Sequence, residues 1–436
     1  MGVGVLRSRG SLPGPLARPL ADLLTAVLMA GTLGCSAARV ENVPLEQYER
    51  GAGYGGQFKK IDHGQDLRVV LAFSGGGTRA SALSYGVLKE LRASEVKLAG
   101  EKTPLIDQVS MISSVSGGSF TAAYYGLYGD RIFEDYEERF LKFDIDARLA
   151  VNLLRPIKLT RIMLTSYTRT DMAADLYDKY LFGGKTFADL EAADGPLLSI
   201  NATDLDVGHV FSFWQPGFNM ICSDLSKMRV STAVTASSSV PGVFTPTVIK
   251  NSAGTCGYPR PQWIDQALAD PSASRRRAHQ AQMVETMLDS EKRPYLFLVD
   301  GGIADNIGAR RIIDNAIEAG GIFTLTEAGG IEVPRHLLMI VVNAQAAHRD
   351  WAKSPRAPSV GRTLSAISGV GIYNYNFETM ELLRESAARW ARDAAAHGIQ
   401  VTPHIVEIAF DNLKDPEERK FFNSVKTSFN LDDATV

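Results

Sequence analysis

Three short stretches carry groups that could do chemistry. In "SVSGG", Ser114 to Gly118, Ser116 stands between small residues where an apolar run, Val109 to Ser113, gives way to a helical stretch from Phe120 onward. A tight turn of this kind projects the serine hydroxyl outward and aims the next helix N-terminus at developing negative charge, as in a nucleophile elbow of the form G-x-S-x-G. Ser114 replaces the first glycine of that form. In "YLFLVDGG" an apolar strand ends on Asp300, followed by Gly301 and Gly302. A carboxylate is thereby delivered at the C-terminal edge of a strand, where parallel α/β sheets build their sites. In "SGGGTRA", Gly75, Gly76 and Gly77 follow the apolar run Leu67 to Phe73. Consecutive glycines there could cradle a phosphate, admit a nucleotide or hold an oxyanion.

The rival anions fail on neighbouring residues. A phosphate-binding P-loop needs G-x-x-x-x-G-K-[ST], and "SGGGTRAS" has no lysine at the required place. A dinucleotide site wants an acidic residue about twenty positions on; Glu95 is loosely placed for it, but a second glycine turn at "SSVSGGS" does not suit that fold. "GAGYGG", Gly51 to Gly56, satisfies G-x-G-x-x-G formally, yet no strand-like run precedes it and no helix follows at once. The usual base for a serine nucleophile is histidine. Of His63, His209, His279, His336, His348, His397 and His404, none sits at a strand-to-loop junction with glycine neighbours, although His336 and His404 flank apolar runs.

These turns need a scaffold, and the chain supplies an alternating one. Leu67 to Phe73 suits a buried parallel strand, and Leu83, Val87, Leu88 and Leu91 recur at helical spacing behind it. Further strands are expected at "PLLSINATDL", "HVFSFW", "YLFLVDGG" and "HLLMIVVNA", and helices at "FADLEAAD", "ARRIIDNAIEAG" and "FETMELLRESAARWARDAAA". Alternation of this kind favours an α/β fold with a mainly parallel central sheet and helices on both faces. Two segments interrupt it, near residues 130–185 and 251–292, and read as helical insertions. They could decorate the sheet edges or form a lid or a membrane-facing surface.

Composition narrows the partners. With 436 residues, 45% hydrophobic and 22% charged, the chain can bury a sizeable core and is neither fibrous nor disordered. A formal net charge of -3 gives no reason to expect nucleic acid, and the one basic run, Arg275 to Arg277, reads as a solvated face. No clustered His, Cys or carboxylate set calls for a metal, and no cofactor is expected.

The first 35 residues read as an address. Arg7, Arg9 and Arg18 lead into the apolar run Leu23 to Gly34, which is too short to span a bilayer stably, and Cys35 follows. The layout resembles a bacterial lipoprotein signal in which Cys35 would be acylated, although Thr32 and Leu33 stand where such signals usually carry leucine and a small residue. An ordinary cleaved signal, or an inner-membrane helix from near Leu16, remains the alternative. Residues 36–66 read as a tether and 67–436 as the body. Reserving Cys35 for lipid leaves Cys222 and Cys256, which could pair in an oxidising periplasm or remain buried thiols.

The ordered motifs "SGGGTRA", "SVSGG", "ASSSVPGVFTPTVI" and "DGG" resemble those of the patatin-like phospholipase family, over roughly Leu67 to Asn343. The resemblance implies a patatin-like three-layer sandwich and a Ser-Asp dyad, with Ser116 as nucleophile and Asp300 as base. It also implies an oxyanion hole from the amides of Gly75, Gly76 and Gly77, with Arg79 nearby. "DGGIADNIGARR" is similar to bacterial members, in which an asparagine at the place of Asn306 supports the aspartate turn. Ser114 for glycine and Ala80 for a frequent glycine are departures. The activity so implied is lipid acyl hydrolysis of phospholipid or lysophospholipid esters through an acyl-enzyme, at a membrane surface of the bacterial cell envelope. An acyltransferase using the same dyad, or a catalytically silent lipid-binding envelope protein, is the alternative.

Overall fold

The computed structural model describes residues 39–40, 42–56, 66–155, 160–162, 164–346, 359–425 and 431. The apolar address and Cys35 lie outside them, as do His63 and His348. Leu67–Phe73 forms strand β1 and leads through the glycines into helix α1, Thr78–Ala93. Val109–Val115 is β2, followed by α2, Gly117–Tyr128. Then come β3, Leu197–Asp204; β4, His209–Phe213; α3, Val230–Ser237; and β5, Thr247–Lys250. The second half supplies β6, Tyr295–Val299; α4, Gly302–Asp305; α5, Arg310–Ala319; β7, His336–Asn343; α6, Val360–Ala396; and β8, Thr402–Ala409.

Among the described residues these strands build one eight-stranded sheet in the order β8-β7-β1-β2-β3-β6-β5, with β4 on the other side of β3. From β8 to β3 the pairs are parallel. The expected α/β architecture is therefore present, but β4, β5 and β6 enter antiparallel.

Strand β1 shows why its sequence is apolar on both faces. Val69, Leu71 and Phe73 point into one core with Leu88, Phe120 and Tyr124 from α1 and α2. Val70 and Ala72 point into the other with Ile313 of α5 and Leu383 and Trp390 of α6. Side chains alternate along a strand, so a strand covered by helices on both sides needs an unbroken hydrophobic run. Each large side chain fully buried in such a core contributes about 1.5–3 kcal/mol.

The segment 130–185 is mostly helical and packs Tyr136, Phe140, Tyr177 and Phe182 into the first core. The segment 251–292 carries helices Gln262–Ala269 and Arg275–Glu285. Within the stretch read as a tether, residues 42–56 lie on the body. Val43 and Pro44 pair with Asp224 and Ser223, and the buried Tyr54 hydroxyl accepts from the Leu198 amide at 2.7 Å. Cys222 and Cys256 form a disulfide beside this strap, whose Leu45 and Tyr48 amides donate to their carbonyls. Among the described residues no helix is long and apolar enough to cross a membrane.

Candidate active site

Strands β2 and β6 approach the same edge of β3 from opposite directions, because β4 occupies the other edge along Ile200 to Asp204. Val115 at the end of β2 pairs with Asn201, and Val299 at the end of β6 pairs with Thr203. The next residue of each strand, Ser116 and Asp300, therefore arrives head-on beside Ala202. This differs from the expected delivery of Asp300 at the C-terminal edge of a parallel strand: β6 is antiparallel, and the carboxylate comes from above the serine.

The two side chains meet. Ser116 Oγ donates to Asp300 Oδ2 at 2.9 Å, and both residues are buried. Ser116 has φ 50 and ψ -121, a positive-φ conformation that costs a non-glycine residue on the order of 1–3 kcal/mol. Surrounding contacts hold it there. The Ser116 amide donates to Ser237 Oγ at 2.8 Å, and that hydroxyl donates to the Asn201 carbonyl at 2.6 Å. A Cβ on Gly117 would lie 2.0 Å from the Gly77 carbonyl oxygen, so the serine turn and the glycine loop press together backbone to backbone.

Asp300 is fixed from both sides. Its amide donates to the Ser239 carbonyl at 3.0 Å, and its Oδ1 accepts the Gly302 amide at 2.8 Å. Gly301 passes so close to β3 that a Cβ would sit 2.3 Å from the Asn201 carbonyl oxygen. Burial raises the Asp300 pKa from 3.8 to about 6, while the bonds from Gly302 and Ser116 pull it down. Desolvation disfavours the ionised form, so the carboxylate is a better proton acceptor than a solvated one.

The glycine loop is divided in its roles. The Gly75 amide, expected among three oxyanion donors, instead donates to the Asn306 carbonyl at 2.8 Å and is not free to meet an oxyanion. The amides of Gly76 and Gly77 have no acceptor among the described residues. Asn306 ties the aspartate turn to this loop: a Cβ on Gly75 would be 2.6 Å from its Oδ1. Arg79 donates to the carbonyls of Ala344 at 3.0 Å and of Val425, and its Nη2 lies beside the glycine loop, 3.5 Å from where a Cβ on Gly76 would sit. Its burial lowers the guanidinium pKa to about 10, still charged at neutral pH.

The described histidines bond elsewhere or lie far off. His209 contacts Val210 and Gln280, and His336 and His404 stack at 5.8 Å at the strand ends opposite Asn343. Residues that sequence reasoning left unnamed form a polar layer beneath the elbow. Asn201 Nδ2 donates to Ser113 Oγ at 2.9 Å, Ser119 Oγ donates to Ser114 Oγ at 3.1 Å, and Thr203 Oγ1 donates to the Asp300 carbonyl at 2.9 Å. Ser114 thus joins this layer rather than obstructing the turn. Two sequence signals were available: three serines in a row at 237–239, and polar residues inside the buried strand "SINATD".

Comparison with known proteins follows the same lines. A family profile described as Patatin-like phospholipase matches residues 71–313, more than half of the chain. No curated protein matches in sequence. Among solved structures, human GIVD cytosolic phospholipase A2 is similar at 16% identity and a TM-score of 0.38, over 74% of this chain and 49% of that one. The same human enzyme in complex with methyl gamma-linolenyl fluorophosphonate and terbium chloride is similar at 15% identity and a TM-score of 0.32, covering 74% and 44%. VipD from Legionella pneumophila is similar at 12% identity and a TM-score of 0.28, covering 90% and 70%. The chain spans about half the length of the human enzyme.

Proposed function

Since the chain belongs to the patatin-like phospholipase family of lipid-hydrolysing enzymes, we propose that it cleaves carboxylic esters of phospholipids or lysophospholipids with Ser116 as nucleophile and Asp300 as base. The observation that carries this reading is the 2.9 Å hydrogen bond between Ser116 Oγ and Asp300 Oδ2, each on its own strand end. Ser116 Oγ attacks the ester carbonyl carbon while its proton passes to Asp300 Oδ2. The carbonyl oxygen becomes an oxyanion, for which the amides of Gly76 and Gly77 are the available donors. In comparable hydrolases the loss of one such donor costs about 2.7–4 kcal/mol of barrier. Collapse of the intermediate breaks the ester C–O bond, and the leaving alcohol takes the proton from Asp300. Water then attacks the acyl-serine, gives its proton to Asp300, and the fatty acid departs as the proton returns to Ser116.

A carboxylate is a weaker base than imidazole, and two features offset this. Asp300 already sits within the 2.6–3.2 Å range needed for direct proton transfer. Its raised pKa brings it nearer to the operating pH, where general bases are most effective. Arg79 and Asn306 act on the reaction through position, holding the glycine loop against β7 and the aspartate turn.

The place of action we propose is the bacterial envelope, with Cys35 acylated at the mature N-terminus. The arginine lead and apolar run support it. So does the Cys222–Cys256 disulfide, since such bonds persist in oxidising compartments. The proposed activity is tested by fatty-acid release from phospholipid and lysophospholipid in the wild type, Ser116→Ala and Asp300→Asn. Release that survives both substitutions would reject it.

A further inference from the structure

Three separate parts of the chain place exposed apolar side chains on the side of the molecule where the dyad lies. The first is the loop after Ser239, the residue whose carbonyl holds the Asp300 amide. In it Val240 is 41% and Val243 53% exposed. The second is Ile303, three residues past Asp300 on α4 and 49% exposed.

The third is the front half of α6. Trp390, in its rear half, borders an apolar cavity with Arg68 and Leu337 at the starts of β1 and β7. Asn376 instead donates to Gln345, two residues beyond the end of β7. The helix therefore runs along the sheet face and continues past the strand ends on the side where Ser116 lies. At about 1.5 Å per residue, the stretch from Val360 to Asn376 amounts to roughly 24 Å of helix. Arg310, just beyond α4, lays its guanidinium 5.5 Å over the Tyr375 ring and joins this helix to the dyad's flank. Val370 and Tyr373 are exposed, and Phe377 is 62% exposed. Within α6 no acidic residue occurs before Glu378.

The chain also enters the body on this side. Val40 forms a parallel bridge with Val248, and Arg39 borders a small cavity with Pro246 and Thr247, three and four residues past Val243. Thr247 pairs with Leu298, two residues before Asp300. Cys35 is only four residues before Arg39 in sequence, a reach of at most about 14 Å.

From this convergence we propose that Val240, Val243, Ile303 and the exposed Val370, Tyr373 and Phe377 of α6 form a docking face for an anionic phospholipid bilayer, pressed against the membrane with the Ser116 site opening toward it. The occupant is a lipid surface because exposed apolar and aromatic side chains beside the Arg310 guanidinium, on a helix with no acidic residue before Glu378, suit the headgroup boundary of anionic membranes. The proposal rests on the lipid-hydrolase reading for its biological purpose. Its physical content, binding to a bilayer, stands or falls separately. Docking lets the substrate acyl ester pass from the bilayer to Ser116 without crossing bulk water.

The test uses the chain from Ser36 onward, so that neither the apolar run Leu23 to Gly34 nor an acyl anchor on Cys35 holds it to lipid, with Val243→Asp, Phe377→Asp and Ser116→Ala each added to it. Binding is read by flotation with vesicles of phosphatidylcholine and phosphatidylglycerol, hydrolysis with a water-soluble short-chain ester, and mass by light scattering. The expected result is that Val243→Asp and Phe377→Asp each weaken vesicle binding at least about tenfold, since each removes a buried apolar side chain from the contact. Soluble-ester turnover in these two remains near the parent value, and Ser116→Ala floats like the parent. Unchanged flotation in both aspartate variants would overturn the docking face. So would a parent dimer that the same substitutions split while flotation persists, which would assign the face to a second copy of the chain. A parent that floats but hydrolyses no ester would reject the hydrolase reading and leave the docking result intact.

Discussion

Ser116 and Asp300 share a 2.9 Å hydrogen bond across 184 positions of sequence, and among the described residues no histidine side chain bonds to either. The bond exists because two strands end against one edge of β3, on Asn201 and Thr203. Register sets the geometry before any side chain does.

On the proposed reading the two residues act as a unit. Ser116→Ala and Asp300→Asn are each expected to lower hydrolysis by about a thousandfold or more, and the double variant to lose little beyond either single one. Replacing His209, His279, His336, His397 or His404 singly should leave turnover within about tenfold, a barrier change near 1.4 kcal/mol. A histidine variant that folds yet matches Ser116→Ala would replace the dyad with a triad.

The titration of Asp300 gives a pH signature. As a base it must be ionised, so kcat/KM for a soluble ester is expected to rise with pH to a plateau, with a midpoint near its pKa of about 6. A profile flat from pH 5 to 8 would contradict this.

Stability should run the other way. A carboxyl whose folded pKa lies above its unfolded value stabilises the fold only while protonated, and that contribution is lost as pH rises through the folded pKa. Asp300 at about 6 and Asp305 at about 7 both do this through burial. Asp300→Asn should therefore melt higher than the wild type at pH 8, by on the order of 1–2 kcal/mol, and lose that advantage near pH 4. Equal melting at pH 8 would show that the buried charge is fully compensated.

The glycine loop offers a test of the oxyanion donors. Gly76 has φ 136, and a Cβ there would approach Ala80 Cβ at 3.3 Å. Gly76→Val is expected to reduce turnover by two orders of magnitude or more, in the range seen when an oxyanion donor is lost, with far-ultraviolet circular dichroism unchanged. Near-normal hydrolysis would move the oxyanion elsewhere.

Acylation of Cys35 is checked by metabolic palmitate labelling. Label is expected in the wild type and absent from Cys35→Ser, whereas a mature chain that begins at another residue and carries no label would reject the lipoprotein reading.

Much of the fold was legible because helix-covered parallel strands need unbroken apolar runs, and Leu67 to Phe73 and His336 to Asn343 advertise themselves that way. Strand β8, "TPHIVEIA", was not legible: only half-buried, it mixes polar residues into its run. Helix α6 was read only from Phe377 onward, where Met380, Leu383, Ala387 and Trp390 recur at helical spacing on the face packed against the sheet. At the site, Ser116 and Asp300 were visible through their glycine neighbours. Gly75 was assigned a donor role that its bond to Asn306 removes, because which amide a loop spends on its own backbone is decided by tertiary contact. Ser237 and Asn201 were marked only as a serine run and a polar residue in a buried strand; what they serve, the elbow on other elements, is decided by tertiary contact.

The central claim is that an acyl group passes through Ser116, and intact-protein and peptide mass spectrometry after reaction with a fluorophosphonate tests it most directly. The expected result is a single adduct on the peptide carrying Ser116, absent in Ser116→Ala and formed far more slowly in Asp300→Asn. An unmodified Ser116 in protein that still hydrolyses lipid esters, or an adduct on another residue, would contradict it.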